Sequence, residues 1–248
     1  MKQFNYFFAL LFYFFSVNYL PVRGAGHNPE LFSDSIRLKQ DTLKTYLVWL
    51  QKQVIREELN KLALDLLKQA VTYTDVYQVL RITRWDASLM RSIPALVPLR
   101  YAQIKNFRIS SGFGFRKHPV KGDNMFHGGI DIPAPNGTPV YAVADGIVSR
   151  SVKYHNSLGN FVQLNHYNGF ITYYGHLLRF IVHPGQSVKQ GQIIGYVGES
   201  GLTTGNHLHY ILIKNGLALD PYPFCFLMYE RYKAEEKLAK SSQSSFSK

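Results

Sequence analysis

GIVSRSVKYHNSLGNFVQLNHYNGFITYYGH, residues 146–176, decides the fold class. Short β-branched and aromatic runs (146–152, 160–165, 170–174) alternate with turn residues such as Asn156, Gly159 and Gly169. Runs of four to eight residues at this spacing predict strands, because branched and aromatic side chains pack well on a pleated surface. The same texture extends to residues 139–144, 193–197 and 208–213, which predicts an all-β sheet structure. The aromatic content of 15% agrees with it.

Upstream the texture changes. Leu43, Leu47, Leu50, Val54, Leu62 and Leu66 recur at three- or four-residue steps apart from one gap, predicting a helix over 35–70. Asp34 or Asp41 is the expected cap, and residues 74–83 are the expected partner helix. This segment carries no chemistry of its own; a groove cover, a spacer or a partner-binding arm are its three readings. Ser92-Ile-Pro-Ala-Leu-Val-Pro-Leu99 reads as an extended linker, since each proline disfavours helix at the residue before it. From Tyr229 the chain is charged, then Ser-rich, which predicts a frayed helix or a disordered tail.

Lys2, an apolar run from Phe7 to Phe15 and the small residues Gly24, Ala25 and Gly26 have the layout of a secretory signal peptide. The strict apolar core is short of the roughly 20 residues a membrane span needs, so an uncleaved N-terminal anchor is the second reading. The expected location is exported: periplasm, cell envelope or outside, with possible anchoring through the N-terminus. The expected divisions are 1–24 leader or anchor, 25–92 helical accessory segment, 93–223 β domain and 224–248 tail. A net charge of +12 favours anionic partners such as acidic wall polymers or a membrane surface. No basic block with interleaved aromatics accompanies it, and nucleic acid is not an expected partner. The single cysteine, Cys225, excludes an intrachain disulfide and a cysteine-built zinc site.

Four patterns carry chemistry. In His127-Gly-Gly-Ile-Asp131 an imidazole and a carboxylate, both good zinc ligands, are joined by a flexible path. In Asn206-His207-Leu208-His209-Tyr210, strand alternation turns His207 and His209 to one face. In Thr172-Tyr-Tyr-Gly-His176, alternation puts Tyr174 beside His176 and sends Ile171, Tyr173 and Leu177 to the core. In Ser110-Ser-Gly-Phe-Gly-Phe-Arg116, Arg116 is a candidate holder of a substrate carboxylate or carbonyl; Tyr174 is the second substrate-binding candidate. His127, Asp131 and one of His207 and His209 make three protein ligands, which leaves a fourth zinc position for water. The remaining imidazoles can move protons and steady an oxyanion.

These motifs, in order, resemble the lysostaphin/LytM-like zinc metallopeptidases that cut peptidoglycan. The likeness runs from about residue 93 to 221 and includes Ser111-Gly-Phe-Gly-Phe-Arg-Lys-His-Pro119, Gly137-Thr-Pro-Val-Tyr-Ala142, Asp145-Gly-Ile-Val148, Gly159-Asn-Phe-Val162, Gly191-Gln-Ile-Ile-Gly195 and Thr204-Gly-Asn-His-Leu-His209. The resemblance implies a mainly antiparallel β-sheet catalytic domain and a site between loops. It implies one Zn2+ per chain on His127, Asp131 and His209, with His176 and His207 as catalytic histidines. It also implies a peptide substrate in peptidoglycan, either a glycine bridge or a D-amino-acid cross-link. Ile211 stands where the family usually has a glutamate, and Asn206 where a proline is common. A catalytically silent wall-binding regulator is the alternative from another class. A lipoyl- or biotinyl-type carrier fits the strand texture, but the corresponding hairpin has no suitably flanked lysine.

Overall fold

The computed structural model describes residues 29–100, 107–117 and 122–245. The leader expected over 1–24 and the motif residues His118 and Pro119 lie outside the described residues. The chain divides into two compact units, residues 1–56 and 57–248. Among the described residues, no helix is long and apolar enough to cross a membrane.

The described part of the first unit belongs to helix α1 (Pro29–Gln69). Asp34 and Asp41, expected as caps, both lie inside that helix. Leu43, Leu47 and Val54 are exposed, and the rings of Tyr46 and Trp49 stack at 5.8 Å.

In the second unit the C-terminal part of α1 packs with α2 (Tyr73–Ile82) and α3 (Ala87–Arg91). Thr72 opens α2: its hydroxyl accepts the Asp75 N–H at 3.2 Å while the Asp75 carboxylate accepts the Thr72 N–H at 2.9 Å. Such a reciprocal cap satisfies two otherwise orphaned donors and is worth about 1 kcal/mol. The packing face of α1 differs from the expected leucine series. Ala63 and Leu67 are buried, whereas Leu62 and Leu66 are exposed.

The sheets follow the expected runs closely. β1 (Gly114–Lys117) and β2 (Asn124–His127) form a separate two-stranded ribbon. The other nine strands form one sheet in which every described pairing is antiparallel. They are β3 (Gly129–Pro133), β4 (Pro139–Tyr141), β5 (Gly146–His155), β6 (Gly159–His166), β7 (Phe170–Phe180), β8 (Ser187–Val188), β9 (Ile193–Val197), β10 (His207–Lys214) and β11 (Leu217–Leu219). β10 lies between β3 and β7 over its first half, with His209 opposite Asp131 on one side and Gly175 on the other.

Alternation sorts these strands. Leu208, Tyr210 and Leu212 of β10 and Ile130 and Ile132 of β3 are buried, so His207, His209 and Asp131 face the other way. One core gathers Ile130, Val140, Val162, Leu164, Tyr174 and Leu208. A second joins the helices to the sheet, with Leu67, Val76, Leu80 and Ile93 against Phe170, Leu212, Phe224 and Leu227. Each such large apolar side chain contributes about 1.5–3 kcal/mol on burial.

The expected extended linker forms neither helix nor strand over 93–98 but bends repeatedly, and it is packed. Ile93 and Ala95 are fully buried. The Ala95 N–H donates to the Val143 carbonyl at 3.3 Å, and the Tyr141 N–H donates to the Pro98 carbonyl at 2.8 Å. Packing therefore runs unbroken across residue 92. The chain ends in a 3-10 turn (Pro223–Phe226) holding the buried Cys225, then helix α4 (Leu227–Ser245).

Within the sheet, His166 anchors a buried polar chain. Its Nδ1–H donates to the Asp145 carbonyl at 2.9 Å, and its Nε2 lies 2.7 Å from Thr172 Oγ1. Thr172 Oγ1 is in turn 3.1 Å from Tyr174 Oη, which accepts the Val143 N–H at 3.2 Å. Burial pushes the His166 pKa down from 6.5 to about 4. The unfolded chain therefore takes up this proton first as pH falls, so the contribution is complete above about pH 6.5 and is lost toward pH 4. Urea unfolding is expected to show that lowering the pH from 7 to 4.5 destabilises the parent by about 2 kcal/mol more than His166→Gln. Identical pH dependence in the two would refute this account.

Candidate metal and catalytic site

Three adjacent strands bring the site together. Asp131 on β3, His209 on β10 and Gly175 on β7 stand in one row. Asp131 Oδ1 lies 2.7 Å from His209 Nδ1 and 3.2 Å from His127 Nε2, and the two histidine nitrogens are 3.1 Å apart. Their ligand atoms all fall within 4.8 Å of one another. His127 enters from the end of β2, and its ring stacks on that of His209 with centroids 4.9 Å apart.

The register has a steric lock. A Cβ on Gly129 would stand 2.4 Å from the Tyr210 carbonyl oxygen, so β3 approaches β10 this closely only with glycine there. Gly128 has open space around its Cβ position. The second glycine of the motif is thus the one that the strand pairing requires.

His176 reaches the same place by a different route. It has φ +57°, an unusual conformation for a residue with a side chain. The pairing of β6 with β7 slips here, with Asn160 opposite Leu177 but Val162 opposite Tyr174. This bulge reverses the alternation. Before it Phe170, Thr172 and Tyr174 face the core; after it Leu177 does. The sequence reading had Tyr173 as a core residue and Tyr174 beside His176. Instead Tyr174 is wholly buried in the core, its hydroxyl bonded to Thr172 and Val143, while Tyr173 is half-buried. Tyr174 is therefore corrected from a substrate-binding candidate to a core residue.

Three imidazoles are oriented by backbone carbonyls. Nδ1–H donates to Gly112 from His127 at 2.7 Å, to Ser200 from His176 at 2.8 Å and to Gly205 from His207 at 2.8 Å. In each case the Nε2 lone pair is left for the site. These carbonyls were not found from sequence, because a carbonyl oxygen has no residue signature. The Ser-Ser-Gly stretch was noted for Arg116, whereas its Gly112 holds His127. Ser200 is brought in by Gly159 at φ +62°, where an added Cβ would lie 2.3 Å from the Ser200 carbonyl.

The electrostatics suit a cation. Burial alone would raise the Asp131 carboxyl, but hydrogen bonds and charge from His127 and His209 hold it well below the usual range. Burial lowers His209, and it pushes His176 down to about 4 despite the Ser200 bond. At neutral pH both imidazoles are therefore uncharged with lone pairs available. The His127 and His209 nitrogens and the Asp131 oxygen lie close together, an arrangement that a cation between them would satisfy. Two nitrogens and one oxygen form a zinc donor set, and three protein ligands are the number found in catalytic sites.

All of this lines one cavity of about 210 Å3, which takes in His127, Asp131, His176, His207, His209 and Arg116. His207 Nε2 is 3.5 Å from Asp131 Oδ1, and its ring centroid is 4.7 Å from that of His176. Ser157, Thr203 and Thr204 complete the polar lining; of these the sequence reading named only Thr204, as part of the His207–His209 motif, and gave it no role. Ile211, in place of the usual acid, is half-buried opposite Gly129.

Residues 125–221 match Peptidase family M23. Peptidoglycan DD-endopeptidase ShyC of Vibrio cholerae serotype O1 is 47% identical over 115 residues, 46% of this chain and 26% of that protein. DD-carboxypeptidase/endopeptidase Mpg of Neisseria meningitidis serogroup B is 45% identical over 114 residues, again 46% of this chain and 26% of that protein. The chain thus spans about a quarter of the length of these curated relatives. Among solved structures, the lysostaphin catalytic domain of Staphylococcus simulans is 33% identical with a TM-score of 0.45, covering 49% of this chain and 93% of that domain.

A direct check is metal content by atomic emission. If the cluster holds zinc, the parent is expected to carry about one ion per chain, His127→Ala, Asp131→Ala and His209→Ala nearly none, and His207→Ala as much as the parent. Equal zinc in His209→Ala and the parent would break the ligand assignment.

Proposed function

We propose, from the match of residues 125–221 to peptidase family M23, that the protein is a zinc metalloendopeptidase that hydrolyses peptide bonds in peptidoglycan. The observation that carries the reading is the convergence of His127, Asp131 and His209 beside two further imidazoles in one open cavity. The relative named as a peptidoglycan DD-endopeptidase supports the same substrate.

In this reading His127, Asp131 and His209 hold one zinc ion per chain. Zinc there supplies Lewis acidity, polarising a carbonyl and bringing the pKa of water near 7. The protein's own groups do the rest. Asp131 stays ionised, which matches a cation and keeps both neighbouring imidazoles in place. His176 and His207 each spend Nδ1–H on a fixed carbonyl and present Nε2 to the cavity. One would take the proton of the attacking water on Nε2 and, as the imidazolium so formed, pass it to the leaving amine, while the other, when it carries a proton on Nε2, would donate a hydrogen bond to the oxyanion. Burial keeps His176 unprotonated at neutral pH, the state a base requires. The cationic chain and the expected leader fit an exported enzyme working on an anionic wall.

Digestion of purified peptidoglycan, followed by chromatography of released peptides, tests the proposal. His176→Ala and His207→Ala are each expected to keep zinc and to lose roughly 10²–10⁴-fold in turnover. Near-parental rates in either would remove its assigned role. A parent chain that binds zinc yet releases no peptide would favour the regulator instead.

A further inference from the structure

Among the described residues, Arg116 is the only lysine or arginine lining the cavity, and Asp131 is the only acid. It is held on β1, opposite Met125 of β2, in the ribbon whose end carries His127. Its single ion pair is loose: Nη2 stands 3.4 Å from Asp131 Oδ2, against about 2.7–2.9 Å for a well-made charged hydrogen bond. Its Nε is buried with no hydrogen-bond partner. The side chain is 26% exposed, so the guanidinium tip remains reachable from the cavity.

This arrangement is under-paired. The Asp131 oxygen Oδ1 is taken by His127, His209 and His207 contacts, and only Oδ2 is turned to Arg116. An arginine with so few partners in a half-closed site is stabilised by any anion that enters it. A planar guanidinium matches a carboxylate in shape as well as charge, since two parallel N–H···O bonds form at once. The positive charge of a bound divalent ion would strengthen the same preference.

We infer that Arg116 receives a carboxylate of the substrate, so that the bond cut here lies next to a free carboxyl group rather than inside a neutral bridge. The inference rests on the peptidase reading and names its substrate class. A glycine bridge has no carboxylate to offer within the bridge. A stem or cross-link peptide with an unamidated carboxyl group does, whether that group is a chain terminus or a branch. Arg116 then sets register, fixing which carbonyl comes to the histidines.

The test uses soluble muropeptides in two forms, one native and one with its peptide carboxylates converted to primary amides by carbodiimide coupling to ammonia. The parent is expected to cut the native form roughly ten- to a hundredfold faster in kcat/KM. Arg116→Ala is expected to be slow on both, with the ratio near one and zinc content unchanged. Arg116→Lys should regain part of the preference, because it restores charge without the planar fork. Equal parental rates on both forms would overturn the inference while leaving the peptidase reading intact. Loss of zinc from both Arg116 variants would also overturn it, making Arg116 a clamp for Asp131. A parent that cuts neither form would remove the peptidase reading and this inference together.

Discussion

The pairing of β10 with β3 is the constraint on which the site depends. It sets Asp131 opposite His209 with Oδ1 2.7 Å from Nδ1. Side chains on a strand alternate, so a slip of one residue would send Asp131 into the core and Ile130 or Ile132 into the cavity. The penalty is paid twice, because Leu208, Tyr210 and Leu212 of β10 are buried by the same register. The apolar core and the polar site are therefore two readings of one alternation. Gly129 sharpens the choice: the Tyr210 carbonyl occupies the space a side chain would need, so this register admits only glycine there.

Around this row the imidazoles are held by backbone rather than by other side chains. Gly112, Ser200 and Gly205 each offer a carbonyl to one histidine. A single such bond is worth only about 1 kcal/mol in stability. Its larger effect is on orientation, since it fixes which nitrogen carries the proton and where the other points. The ribbon and the loops after β5 and β9 thus act as fixed supports, and their closeness relies on glycine where backbone meets backbone, as at Gly159 and Ser200.

The parts of this arrangement that were legible in sequence are those that depend on strand alternation. His207 and His209 two apart on a β-branched run, and His127 four before Asp131 across two glycines, could be read directly, though alternation alone did not say which of His207 and His209 lies in the metal cluster. His176 and Tyr174 show the limit. A bulge at Gly175 and His176 adds one residue to β7 and inverts its faces, and nothing in the composition announces it. The helix at α1 was legible from its leucine spacing, yet the face that packs is Ala63 and Leu67, because the neighbouring surface selects among similar apolar positions. The proline-marked stretch at 92–99 is free of helix, as its prolines imply, but it bends repeatedly. Its burial was not readable, since prolines constrain backbone angles and say nothing about what lies alongside.

That last point bears on where the catalytic part begins. β10 starts with His207 and ends at Lys214, a buried lysine whose Nζ donates to the Lys68 carbonyl at 3.1 Å and sits 5.1 Å from the Phe170 ring centroid. The Asn215 side chain donates to the same carbonyl at 2.8 Å. Lys68 lies in the last turn of α1, where unpaired carbonyls and the helix dipole favour a cation. Burial lowers the Lys214 pKa, so its ammonium depends on that helix end for its partner. One strand therefore carries the metal-cluster histidine at one end and a helix cap at the other. Phe170, Leu212 and Phe224 extend the dependence, because their cover includes Leu67 and Leu80. A boundary drawn by sequence texture at residue 92 would uncover these side chains and strand the lysine. The helices from residue 57 onward belong to the same folded unit as the site, and the register of β10 is supported from both ends.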